Sequence, residues 1–307
     1  MADWSGETIP LDDDTPTSSS TPTTFKQHWF IGTWHYKPKP ELCFIANTAW
    51  STIKLGQTWS PTAVTLETSA DCKNWNTYTI WDTITLSNVW DRVYWRNTST
   101  TDTWFSIDTS NYYNFIMSWS ISATWNVNYL LNKNNTTTLS NYCFYKLFYE
   151  CSSLITAPKL IATALKEGCY SYMFYECRNL KYAPSLPSAT AEVSCCSSMF
   201  ERCFNLETLP KLEITPIKSH SCYRMFYSCS KIKISETQTW EYQTPYSIPS
   251  GAGSSIYDYM FKYTWWTFTD TPYAGTYYTS NEVAPASVVP SSQSSWSGGE
   301  PSTVTVM

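Results

Sequence analysis

Four phenylalanines, Phe148, Phe174, Phe200 and Phe226, recur at a constant step of 26 residues. Cys151, Cys177, Cys203 and Cys229 keep the same step, and so do Leu154, Leu180, Leu206 and Ile232. Three columns in phase over four copies mark a repeat protein, in which each supersecondary unit buries its apolar face only by stacking on the next. Residues 139–235 are therefore expected to share one stacked core, with the rest of the chain preceding and capping it.

Within a copy, Cys143, Leu147, Cys151 and Leu154 are spaced 4, 4 and 3, which places them on one face of a helix. Cys169, Met173, Cys177 and Leu180 repeat that spacing in the second copy. Pro158, Pro184 and Pro210 cannot sit in a helix interior. Each unit is thus expected to be a short helix followed by an extended segment ending near Leu160, Leu186 or Leu212. Stacked, the extended segments would form a parallel ladder and the helices would line the opposite side. On a helix the neighbours Cys195 and Cys196 cannot both face the core, so one is expected at the surface. The fourth unit weakens, with Glu236 in place of the proline and Cys222 displaced by one position. Met260-Phe261 follows Met225-Phe226 by 35 residues. Residues 236–278 therefore read as a degenerate capping repeat, and 279–307 as a flexible Ser/Pro-rich tail.

Ahead of the repeats, residues 1–39 are rich in Thr, Ser and Pro and read as a disordered arm. Residues 40–128 alternate strand-like runs with turns. Val64/Leu66 and Val93/Trp95 show the period of two expected of half-buried antiparallel strands. Short strands at this spacing suggest a small β-sandwich-like domain. The expected fold class is α+β: an N-terminal β-sandwich-like domain followed by a leucine-rich-repeat solenoid of about four to five units.

The formal net charge is −5 and charged residues make up 15% of the chain. Lys and Arg are scattered without a basic patch, which argues against nucleic acid as a partner. No apolar run reaches the ~18 residues a membrane span needs, so no membrane insertion is expected. The N-terminus shows no basic segment followed by an apolar one, so no secretory signal is visible. A polarity supplied by Ser, Thr, Asn and Tyr suits an extracellular, cell-surface or virion location. Nothing in the sequence indicates the oligomeric state.

Tryptophan is in excess, 16 residues, while glycine is scarce, 9 of 307. Several tryptophans occupy turn positions. Trp81-Asp82 separates two strand-like runs, as does Trp90-Asp91. Trp59, Trp104, Trp119, Trp125, Trp240, Trp265 and Trp266 fall in similar settings. Such turns favour Gly or Asn, because a bulky residue there carries a steric cost. Two explanations stand. The natural residue is glycine, encoded by UGA in a source that reads it so; or the indoles are displayed on loops for binding. Trp75 and Trp95 lie inside strand-like runs and read as packing residues.

Of the eleven cysteines, nine sit in the repeats. Their spacing lacks the closely paired thiolates of a zinc site, so a packed ladder of small apolar side chains is expected, ahead of disulfides or a metal. His28, His35 and His220 form no ligand spacing, and no nucleophile elbow or phosphate loop occurs. Asp12, Asp13 and Asp14 lie in the arm, where nothing would hold them for acid–base work. No catalytic residue, cofactor or metal is therefore assigned. The candidate ligand-binding residues are the variable positions of the extended segments: Thr156, Lys159, Tyr182, Ser185, Thr208 and Lys211, with Ile234 in register. Tyr145, Tyr149, Tyr172, Tyr175 and Tyr227 offer aromatic faces for sugars, although packing between repeats is the expected role.

The run Cys169, Met173, Phe174, Cys177, Leu180, Ala183, Pro184 and Leu186 resembles the repeat of the BspA-type leucine-rich repeat family. The other copies match less fully, with Leu147 where the motif has Met. The resemblance covers roughly residues 42–280 and implies surface attachment, adhesion or receptor binding, with no catalysis. The expected function is that of a non-enzymatic surface protein recognising a cell-surface glycan or protein. The alternatives are a phage virion accessory or fibre protein and, with no constellation to support it, a cell-envelope enzyme.

Overall fold

The computed structural model describes residues 41–58, 63–101, 105–134, 137–186, 190–266 and 271–284. The arm 1–39, Trp59, Trp104 and most of the tail 279–307 lie outside the described residues. Strands β1 (Leu42–Ala46), β2 (Ser51–Gln57), β3 (Leu66–Ser69), β4 (Asn76–Tyr78), β5 (Ile84–Leu86), β6 (Arg92–Asn97), β7 (Tyr113–Ser118) and β8 (Ile121–Thr124) come first, then one 3-10 turn, Val127–Leu130. The copies contribute β9 (Leu154–Thr156), β10 (Ala164–Leu165), β11 (Thr190–Ala191), β12 (Thr208–Pro210) and β13 (Lys233–Ser235). Then follow β14 (Thr244–Ile248), β15 (Trp265–Trp266), β16 (Gly275–Thr279) and β17 (Glu282–Ala284).

The first nine strands form two packed sheets. One is ordered β4-β3-β6-β1-β8-β9 and the other β5-β2-β7. Alternation along β2 buries Ile53 and Leu55 and leaves Thr52 and Lys54 half-buried. Phe44 of β1 and Trp95 of β6 meet Phe115 of β7 edge-on across the gap, with ring centroids 4.9 and 5.2 Å away. Such edge-to-face contacts add to plain area burial. The Tyr78 hydroxyl ties the sheets further by accepting the Leu55 N–H at 2.9 Å.

The fold class corrects the α+β expectation. Among the described residues there is no α-helix; the chain is almost entirely β, in five sheets. The segments whose 4, 4, 3 spacing suggested helices are chains of turns. In the first copy the N–H groups of Tyr145, Leu147, Tyr149 and Cys151 donate to carbonyls three residues back. The alternate ones, Phe144, Lys146, Phe148 and Glu150, donate to Cys169, Ser171, Met173 and Tyr175 of the next copy. An α-helix would consume every one of these donors internally. Alternation is achieved by a left-handed φ at every fourth residue: Tyr142, Lys146 and Glu150, then Gly168, Tyr172 and Glu176, then Ser194, Ser198 and Arg202. A left-handed non-glycine residue costs about 1–2 kcal/mol. The inter-copy hydrogen bonds, each worth about 1 kcal/mol net, offset that cost.

This geometry also corrects the reading of the paired cysteines. A turn chain of period four points two adjacent residues inward per turn, so Cys143/Phe144 and Leu147/Phe148 are all buried. Cys195 and Cys196 are such a pair and neither is exposed. Cys222 is not displaced: it fills the second place of its pair, as Cys196 and Tyr170 do in theirs.

The copies stack in close register. Phe148, Phe174, Phe200 and Phe226 lie 5.4, 5.5 and 5.7 Å apart with planes within 3° of parallel. Phe115 extends the column at one end and Phe261 at the other, each 5.4 Å from its neighbour. One continuous hydrophobic core takes in residues from Leu42 to Tyr277, and a second, small cluster joins Cys43, Cys72 and Tyr94.

The extended segments do not fuse into the expected parallel ladder, so the helix-and-ladder solenoid of leucine-rich repeats is not formed. β9 joins the sandwich sheet beside β8, and only an isolated bridge links Thr156 to Tyr182. Between the third and fourth copies the C-terminal strands enter. β12 pairs with β17 in parallel, and β13 pairs with β16 and β15. Asn281 seats this insertion. Its amide donates to the carbonyls of Glu207 (2.9 Å) and Lys231 (3.1 Å), and its side-chain oxygen accepts the Lys233 N–H at 2.6 Å.

Candidate functional site

The six positions expected to bind a ligand lie along the extended segments, but several are tied into the fold. Thr208 is buried and its hydroxyl accepts the Ala183 N–H at 2.8 Å. The Thr156 hydroxyl donates to the Ala123 carbonyl at 3.1 Å. The Lys159 N–H donates to the Trp125 carbonyl at 2.6 Å, and Ser185 is half-buried. Tyr182 and Lys211 are exposed, and Lys211 pairs with Glu213. Ile234 is buried within its sheet. Among the described residues these positions do not gather into a cluster of polar groups on this side. Next to it, where the C-terminal strands enter, a shallow groove is lined by Glu207, Ser230, Lys231, Lys233 and Glu241. Its charges cancel in pairs, Lys231 with Glu207 at 2.6 Å and Lys233 with Glu241 at 3.3 Å.

The opposite, turn-chain side carries a different surface. The other two residues of each turn lie toward this side and are often tyrosine; Tyr145 among them is buried, and Tyr149, Tyr172 and Tyr175 are half-buried. Tyr112, Tyr145, Tyr149 and Tyr172 surround Lys146, whose ammonium lies 5.2, 5.3, 4.6 and 5.8 Å from their ring centroids. Tyr149 stacks on Tyr175 at 4.9 Å, and Tyr145 meets both Tyr112 and Tyr172 edge-on. Burial lowers the Lys146 ammonium from its ordinary value. Burial likewise raises the phenols of Tyr112, Tyr145 and Tyr149, that of Tyr145 to about 12. A second group repeats the arrangement further along: Arg224 lies 4.1 Å from the Tyr227 ring, and Lys262 sits 4.9 and 5.3 Å from those of Tyr259 and Tyr263.

Between the two groups the third copy has Ser197, Ser198 and Glu201 where other copies carry tyrosine, and Arg202 where the first two have Glu150 and Glu176. Arg202 and Arg178 hold Glu176 at 2.7 and 2.6 Å. Hydrogen bonding to Arg178, with Arg202 adding to it, keeps the Glu176 carboxyl below the ordinary glutamate value. Glu201 is buried, its carboxyl raised by that burial, with Arg224 3.8 Å away.

The cysteine columns prove to be part of the stacking apparatus. The thiols of Cys151, Cys177, Cys203 and Cys229 donate to the carbonyls of Phe115, Phe148, Phe174 and Phe200 at 3.0–3.1 Å. None of the eleven cysteines forms a disulfide, and all are buried. Among the described residues no group of three or more His, Cys, Asp or Glu converges as metal ligands would, and no helix is long and apolar enough to cross a membrane. Sequence reasoning noticed five of the turn-side tyrosines but not Tyr112, which lies outside the period. Lys146 was also missed, because a helix would not have wrapped four rings around it.

Comparison with family models, curated proteins and solved structures returns no match for this chain.

Proposed function

We propose that this chain is a non-enzymatic binding protein that recognises a cell-surface glycan, with the turn-chain side of the repeat stack as its contact surface. The observation that carries the reading is the Tyr112, Tyr145, Tyr149 and Tyr172 cluster around Lys146. Tyrosine presents a large amphipathic area at low entropic cost, apolar on its face and hydrogen-bonding at its tip. Rings locked against one another and against a cation are already ordered before a partner arrives, which lowers the cost of binding. A pyranose offers the matching pattern of an apolar C–H face rimmed by hydroxyls. A fixed ammonium among the rings favours sugars carrying a carboxylate or sulfate.

Glycan-array and whole-cell binding by the full-length protein test this, with Tyr149→Ala/Tyr175→Ala and Lys146→Gln variants checked for an unchanged thermal unfolding profile. Binding by the parent and loss in folded variants is the expected result. Retained binding in these variants, with loss on Tyr182→Ala/Lys211→Ala, would move the contact to the strand side. Substrate turnover without any binding would end the reading.

A further inference from the structure

Ahead of the first copy, six described non-glycine residues hold a left-handed φ, and five of them are tryptophan. They are Trp50 (63°), Trp81 (76°), Trp90 (73°), Trp119 (65°) and Trp125 (63°), the sixth being Cys72. For a bulky side chain this angle is a true outlier. In the turn chains left-handed residues are of many kinds, Tyr, Lys, Glu, Ser, Arg and His, because the hydrogen bonds between copies impose the angle. The sandwich loops have no such ladder, yet one amino acid type recurs in them.

The turns themselves specify what belongs there. Asp82 N–H donates to the Thr79 carbonyl at 3.0 Å, and Asp91 N–H to that of Asn88 at 3.2 Å. Trp81 and Trp90 are therefore the third residues of hydrogen-bonded four-residue turns. Their φ matches the type II turn, which takes glycine at that place. Three of the indoles contribute little packing in return: Trp50 is 67% exposed, Trp90 55% and Trp119 70%, whereas Trp125 is half-buried and packs against the cluster of Cys43, Cys72 and Tyr94. Trp81 makes more contact, its ring lying 2.8 Å from where a β-carbon on Gly56 would be and 5.8 Å from the Lys54 ammonium. Trp95 and Trp75 behave otherwise. Trp95 is fully buried in β6, and Trp75 lies under the Arg96 guanidinium at 3.8 Å, neither with a left-handed φ.

We propose that positions 50, 81, 90, 119 and 125 are glycine in the natural protein, specified by UGA codons that its source reads as glycine. Tryptophan at these places is then the product of reading the gene by another code. Trp75 and Trp95 are tryptophan in both cases, encoded by UGG. Glycine at these five positions would narrow, without closing, the gap between the 9 in 307 residues and the ~7% of average proteins.

The deciding measurement is peptide mass spectrometry of the protein purified from its source, set beside the codons of its gene. UGA codons at the five positions, with glycine in the peptides and tryptophan at 75 and 95, is the expected result. Tryptophan in the peptides at the five positions, from UGA or UGG alike, overturns the proposal. A second readout uses full-length recombinant protein. Trp50→Gly/Trp90→Gly/Trp119→Gly is expected to raise the melting temperature by several degrees, while Trp95→Gly lowers it. A triple variant that melts no higher than its parent counts equally against the proposal.

Discussion

Phe115 lies 5.4 Å from Phe148 with ring planes 16° apart, so the column of rings begins in the sandwich sheet and not in the first copy. The Phe115 N–H also donates to the Leu147 carbonyl at 2.8 Å, where Phe148 donates to Met173 one level on. The sandwich is thus the template on which the first turn chain is laid.

Phe115→Ala is expected to destabilise the molecule by about 3–5 kcal/mol, the range for emptying a buried aromatic site. The loss should be felt in sandwich and repeats together. Denaturant unfolding followed by Trp fluorescence and by circular dichroism should give coincident transitions in parent and variant. Two separated transitions would show that the shared core is not cooperative.

Asn281→Ala removes three hydrogen bonds that hold the C-terminal strands between the third and fourth copies. Leaving the Lys233 N–H without its acceptor should cost about 1–3 kcal/mol. In hydrogen exchange, the amides of β13, β16 and β17 should lose protection while those of the first two turn chains keep theirs. Uniform loss across the stack would mean that the insertion is not an independent unit.

Burial raises the carboxyl of Glu201, so this group binds its proton more tightly folded than unfolded. Its contribution to stability is therefore greatest at low pH and declines as the pH climbs from the ordinary 4.5 through the raised value. Glu201→Gln abolishes that decline. The variant should melt above the parent at pH 7, and the two should converge toward pH 4. Parallel pH profiles would show that Arg224 already compensates the carboxylate.

Burial pushes the Cys43 thiol to about 11 and that of Cys72 to about 12, and raises those of Cys177 and Cys203 well above the ordinary value. Since the thiolate is the reactive species, no cysteine should react with Ellman's reagent at pH 8 in the native protein. All eleven should react on unfolding, at the rate of global opening. A rapidly labelled subset in the native state would contradict the burial of these side chains.

The periodic columns of Phe and Cys were legible in the sequence because a stack imposes the same choice at every level. The local conformation of the turn segments was not. Leu147, Cys151 and their equivalents recur at about four residues, a spacing shared by a helix and by a chain of left-handed turns. Adjacent inward pairs such as Cys195-Cys196 and Met199-Phe200 distinguish the two, since a helix turns neighbours 100° apart. Phe115 is legible as part of a strand-like run, but not as a member of the ring column, because the 26-residue period does not contain it. The pairing of Thr208 with Glu282 joins residues far apart in the chain, and the β12 segment bears no mark of its partner. The tyrosine surface was half visible: its residues were in view, but their convergence on Lys146 depends on outward positions that only the turn geometry defines.

The seat of Asn281 also bears on how the molecule is made. The edge that β12 offers to β17, and the one that β13 offers to β16, stay unpaired while the ribosome is still adding the residues that fill them. Stacking of the earlier turn chains can proceed as each emerges, but the third and fourth copies keep open edges until residue 284 has been synthesised. During that interval the nascent chain exposes backbone donors and acceptors that another molecule can capture. Slow translation through residues 236–274 would prolong this exposure, and rapid delivery of the last strands would shorten it.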